Sequence, residues 1–124
     1  MNLKTIITGV ALLFAAVGSQ AAELSYAGDA DAAYTSVLNQ LKRDGFEIAS
    51  ASKDAGIQTA PVTEGRFKQT NTYMRLTLLP DEKKFRIVVY AAWRMTPGSP
   101  WSSVKANEDK AAAAVLKLKE ELHW

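Results

Sequence analysis

Residues 72–94 constrain the fold of this chain more than any other stretch. From Lys84 to Arg94, the side chains Phe85, Ile87, Val89, Ala91 and Trp93 alternate with Arg86, Val88, Tyr90, Ala92 and Arg94. Alternation of this kind sends successive side chains to opposite faces of a strand. Thr72 to Leu79 repeats it, with Met74, Leu76 and Leu78 on one side and Tyr73, Arg75 and Thr77 on the other. Pro80-Asp81-Glu82-Lys83 lies between the runs, with proline where a turn accepts it. The two runs predict a β-hairpin with one apolar face that something must cover. Parity assigns Trp93 to that face, and therefore to the core.

The cover comes from two helical segments. Ala30, Ala33, Tyr34, Val37, Leu38 and Leu41 recur at helical spacing behind a cap at Gly28-Asp29. Lys42 and Arg43 suit the negative end of the helix dipole, and Gly45 suits a left-handed cap from which Phe46 folds back on the last turn. At the other end, Ala111, Val115, Leu118 and Leu122 mark one face of a helix within Asp109 to Trp124, capped by Ser103 or Asn107. Phe46 to Ser52 and Ile57 to Pro61 read as strands about an Asp54-Ala55-Gly56 turn. Glu23 to Tyr26 is a short leading strand. Val62 to Asn71 and Met95 to Ser102 are connections. At 124 residues, 48% of them hydrophobic, the chain suits one globular domain. The expected architecture is α+β: a four- to five-stranded antiparallel sheet with both helices on one face.

The N-terminus has the form of a secretory signal. Lys4 supplies the positive charge, Thr5 to Val17 is uncharged and mostly apolar, and Ser19-Gln20-Ala21 places small residues at the −3 and −1 positions of a cut after Ala21. The apolar run is shorter than the ~18 residues of a spanning helix. The expectation is a signal peptide over residues 1–21, a single domain over residues 22–124, a periplasmic location, and no membrane anchor after cleavage.

Asp31-Ala32-Ala33-Tyr34, Val37-Leu38, Leu41, Gly45-Phe46-Glu47-Ile48 and Asp54-Ala55-Gly56-Ile57 form an ordered pattern. It is a helix, then Gly-Phe-x-Ile, a strand, Asp-x-Gly and a second strand. Over Asp29 to Thr59 it resembles the helix-grip domains of the C-subunit lipoprotein of the outer-membrane β-barrel assembly machinery. The resemblance implies a helix-grip-like fold and a non-enzymatic envelope role. It does not carry the lipid anchor, because the chain has no Cys.

Absent residues exclude several chemistries. Without cysteine there are no disulfides, no thiolate catalysis and no Cys-ligated zinc. Lys and Arg number 15 against 13 Asp and Glu, a near balance that gives no footing for nucleic-acid binding. Neither a P-loop nor a dinucleotide-binding glycine pattern occurs. The single histidine, His123, stands in the last turn without a second imidazole nearby, which suits a solvated, frayed end. Asp29 and Asp31 suit helix capping, Asp81-Glu82 a solvated turn, and Glu120-Glu121 an exposed helical face. No catalytic residue, metal site or cofactor is expected.

Two surfaces remain. Tyr73 and Arg75 on one strand share a face with Arg86, Tyr90 and Arg94 on the next. Aromatic and guanidinium groups interleaved on an open sheet suit an anionic or ring-bearing partner, or cross-strand pairing within the sheet. Trp101 sits in a loop framed by Pro97, Gly98 and Pro100, either as a recognition anchor or tucked over the end of the core. Arg66-Phe67-Lys68 is a weaker candidate. The function these suggest is a non-enzymatic binding or accessory protein of the bacterial envelope, with an envelope protein or cell-wall component as partner. The alternative is a periplasmic inhibitor or immunity protein against a toxin or wall-degrading enzyme.

Overall fold

The computed structural model describes residues 20–124, so the expected signal peptide lies outside the described residues apart from its last two. The elements are β1 (Ala21–Ser25), α1 (Ala30–Arg43), β2 (Ile48–Ser52), β3 (Gly56–Thr59), β4 (Val62–Glu64), β5 (Gln69–Leu79), a 3-10 turn (Pro80–Glu82), β6 (Lys84–Arg94), β7 (Lys105–Ala106) and α2 (Glu108–Leu122). Among the described residues the class is α+β, with an open antiparallel sheet of seven strands and two helices. The expected four or five strands omit β4 and β7, whose three and two residues are too few to show a periodic pattern.

Strands β5 and β6 are the long centre of the sheet, paired from Gln69↔Arg94 to Leu79↔Lys84 without a shift in register. The far edge of β6 is taken first by β1 (Ser25↔Lys84 to Ala21↔Val88) and then by β7 (Tyr90↔Ala106). The far edge of β5 is shared by β3 (Ile57↔Leu76) and β4 (Val62↔Thr72), with β2 beyond β3. Gln69-Thr70-Asn71, expected in a connection, are strand: β6 pairs with all three, and β4 pairs with Thr70 and Asn71 on the other edge. A chain cut after Ala21 would keep β1 from Ala22↔Ile87 onward.

The core lies between one sheet face and both helices. Leu24, Ile57, Leu76, Phe85 and Ile87 meet Val37 and Leu41 of α1 and Ala111 and Leu118 of α2, all buried. Thr59 is buried as well, and its hydroxyl accepts a 2.8 Å hydrogen bond from the Met74 N–H. That bond continues the β3–β5 contact where the short ladder stops, so a polar side chain is satisfied inside an apolar layer.

Each helix ends by local rules. Asp29 Oδ2 accepts from the Ala32 N–H at 3.0 Å, and Asn107 Oδ1 accepts from the Lys110 N–H at 3.0 Å. At the end of α1, Gly45 takes φ +93°, its N–H donates to Lys42 O, and the Phe46 N–H donates to Leu41 O. This is the Schellman closure that the glycine predicts. The end of α2 is not frayed. His123 takes the left-handed conformation at φ 59°, and the Trp124 N–H donates to Lys119 O at 3.0 Å. Trp124 then packs 6.0 Å from the ring of Tyr26, which lies 5.7 Å from Phe85.

Trp93 departs from expectation: it is 48% exposed rather than in the core. Its parity is as predicted, on the helix side beyond Ile87 and Val89. Cover is what it lacks. The N–H of Asn107 donates to Val89 O at 2.8 Å, so α2 starts level with Val89 and the end of β6 runs past the helix.

Candidate binding surfaces

On the sheet face opposite the helices, Tyr73 and Tyr90 are cross-strand partners whose rings stack at 5.0 Å with an interplanar angle of 23°. Arg75 and Arg86 extend the same face toward the hairpin turn, opposite Val88 and Thr77. Both arginines are exposed, and among the described residues neither has a carboxylate within ion-pair distance. Glu23 is the cross-strand neighbour of Arg86, but its carboxylate is held by Lys84 Nζ at 3.0 Å. Lys84 also bridges to Glu82 at 3.1 Å. Its hydrogen bonds to Glu23 first, and to Glu82 second, raise the lysine above its ordinary pKa.

Arg94 and Trp101 stand at the other end of this face as a pinned pair. Arg94 Nε donates to Gln69 Oε1 at 2.7 Å, and its guanidinium lies 4.2 Å over the Trp101 ring. The loop carrying Trp101 is closed by reciprocal bonds, from the Trp93 N–H to Ser102 Oγ at 2.9 Å and from the Ser102 N–H to Trp93 O at 2.8 Å. Thus Tyr73, Tyr90, Arg75 and Arg86 form one patch, while Arg94 and Trp101 satisfy each other.

The helix side carries two hollows, which share Lys110. One, of about 310 Å³, is an apolar cleft among Phe46, Val62, Met74, Val89 and Ala114. The other, of about 630 Å³, lies past the start of α2, among Trp93, Lys68, Lys105, Lys110, Ser102 and Ser103. Lys68 Nζ sits 5.7 Å from the centre of the Trp93 ring. Sequence reasoning missed this second hollow because parity placed Trp93 inside. The available signal was Thr70 and Thr72, which face Trp93 and Ala91 across the hairpin and turn the covered face polar at that end.

The acidic pairs are otherwise engaged. Asp31 bridges to Lys53 at 3.1 Å, both exposed. Glu121 differs from the expected exposed charge: it is half-buried, and its Oε1 has no hydrogen-bond partner among the described residues. A hydrogen bond with the Asp44 carboxyl, together with burial, raises the Glu121 pKa. Burial also raises Tyr26, with the nearby Asp29 charge adding to it. None of Tyr26, Lys84 and Glu121 lines either hollow. Among the described residues no group of acidic or imidazole side chains is placed to hold a metal ion, and no helix is long and apolar enough to cross a membrane. A scan against protein-family models and searches of curated proteins and of solved structures returned no match.

Proposed function

We propose that this protein is a non-enzymatic binding or accessory protein of the bacterial envelope, acting in the periplasm and docking an acidic surface of another envelope protein on its open sheet face. The observation that carries the reading is the pair Arg75 and Arg86. Two exposed guanidinium groups, with no carboxylate within ion-pair distance among the described residues, stand beside a stacked tyrosine pair on a hairpin paired along its whole length. Arginine and tyrosine are the residue types that dominate interface energetics, and arginine pairs with carboxylates through two parallel hydrogen bonds. The likeness of Asp29 to Thr59 to helix-grip domains supports the envelope setting.

The test is an affinity capture from envelope extract with the tagged protein, in parallel with the Arg75→Ala/Arg86→Ala variant. The expected result is one stoichiometric protein partner that the variant loses while its melting temperature stays unchanged. Equal capture by both forms would remove the open face from the mechanism.

A further inference from the structure

We propose that the hollow beyond the start of α2 binds an acidic sugar, a pyranose ring bearing a carboxylate. Its volume of about 630 Å³ lies within the range of small-ligand sites. One wall is the indole of Trp93, a large apolar group left 48% exposed on the helix side of the sheet. The backbone of Trp93 is fixed by its place opposite Thr70 and by two hydrogen bonds, from its N–H to Ser102 Oγ and from the Ser102 N–H to its carbonyl. A flat aromatic surface on a fixed backbone fits the C–H face of a pyranose.

Charge selects the acid. Lys68, Lys105 and Lys110 line the hollow, no Asp or Glu does, and none of the three lysines is in an ion pair among the described residues. Glu108 and Asp109, in the first turn of α2, lie outside the lining. Lys68 Nζ lies 5.7 Å from the indole centre, so a ring that takes its place on Trp93 has an ammonium beside it. Hydroxyls supply the remaining contacts. Ser102 Oγ accepts from the Trp93 N–H, which leaves its own O–H free to donate, and Ser103 and Thr70 stand nearby. Among the described residues Trp93 is the only aromatic side chain in the lining, whereas a nucleobase is usually sandwiched between two apolar surfaces. This site lies on the opposite face from the arginine patch and does not depend on it.

Calorimetric titration of the full protein with tri-galacturonate tests the proposal, with its methyl ester, maltotriose and adenosine monophosphate as comparators. Tri-galacturonate is expected to bind, more weakly as salt rises. The methyl ester, which keeps the rings and removes the charges, is expected to bind at least about tenfold more weakly. Lys105→Gln and Lys110→Gln are each expected to weaken binding about threefold. Trp93→Ala is expected to abolish it, and Trp93→Phe, which keeps a ring, to retain part of it. Undetectable binding of tri-galacturonate, equal binding of ester and acid, tighter binding of the nucleotide, or a folded Trp93→Ala variant with unchanged affinity would each overturn the assignment.

Discussion

The guanidinium of Arg94 lies 4.2 Å above the ring of Trp101 while its Nε donates to Gln69. Arg94 therefore serves its own loop, unlike Arg75 and Arg86 on the same face. Trp101→Ala is expected to cost about 1 kcal/mol, the range of a partly desolvated cation–π pair. In a domain of this size that lowers Tm by roughly 4–8 °C. Arg75→Ala should change stability by less than about 0.5 kcal/mol. Thermal denaturation of the two variants decides it, and equal losses would mean that the pinned pair is not structural.

Trp93 and Phe85 share a strand and a parity but not an environment. Phe85 is 1% exposed and Trp93 48%. Phe85→Ala is expected to cost about 3–5 kcal/mol, the usual loss for a buried aromatic. Trp93→Ala should cost at most half as much, although the side chain is larger. Urea denaturation of both variants measures the ratio, and similar losses would place Trp93 in the core after all.

Two glycines with positive φ separate strain from collision. At Gly45 (φ +93°) an added Cβ meets open space, whereas at Gly56 (φ +92°) it collides with the Leu76 carbonyl oxygen where β3 runs against β5. Gly45→Ala is expected to cost about 1 kcal/mol, the strain of a left-handed alanine. Gly56→Ala should cost more than about 2 kcal/mol, because the strand pairing must give way as well. Equal losses in equilibrium denaturation would show that β3 can shift to make room.

Glu121 makes stability depend on pH in a fixed direction. Its hydrogen bond with Asp44 and its burial raise the folded-state pKa above the ordinary value of 4.5. The folded protein thus holds this proton more tightly than the unfolded chain does. The stabilisation is fully present below pH 4.5 and is lost as pH rises through the higher folded-state pKa. Glu121→Gln, a neutral stand-in for the protonated acid, should therefore stabilise the protein at pH 8 and have little effect near pH 4. Denaturant titrations at both pH values test this, and a gain independent of pH would argue against the carboxyl pair as its source.

The hairpin, both helices, their caps and the Tyr–Arg face were legible because each follows from local period or local chemistry. Residues such as Met74, Leu76 and Ile87 needed only alternation, and Gly45 only its place after a helix. What the sequence could not show was where cover ends. The exposure of Trp93 depends on where α2 starts relative to β6, a distance in space that no local pattern encodes. The burial of Glu121 depends in the same way on the end of α1, where Asp44 waits. Strands β4 and β7 exist because neighbours pair with them, and their own residues give little sign of it.

The register Glu23↔Arg86 joins the first strand to a strand formed much later in the chain. Among the described residues strand β1 has no other partner in the sheet, and α2, which packs on it, comes later still. Folding must then begin elsewhere, with the β5–β6 hairpin as the most local large pairing, and β1 is recruited after it. A newly made chain would hold this strand unpaired until more than half its length had emerged. In stopped-flow measurements, substitutions in the β5–β6 hairpin should slow folding, whereas substitutions in β1 should chiefly hasten unfolding.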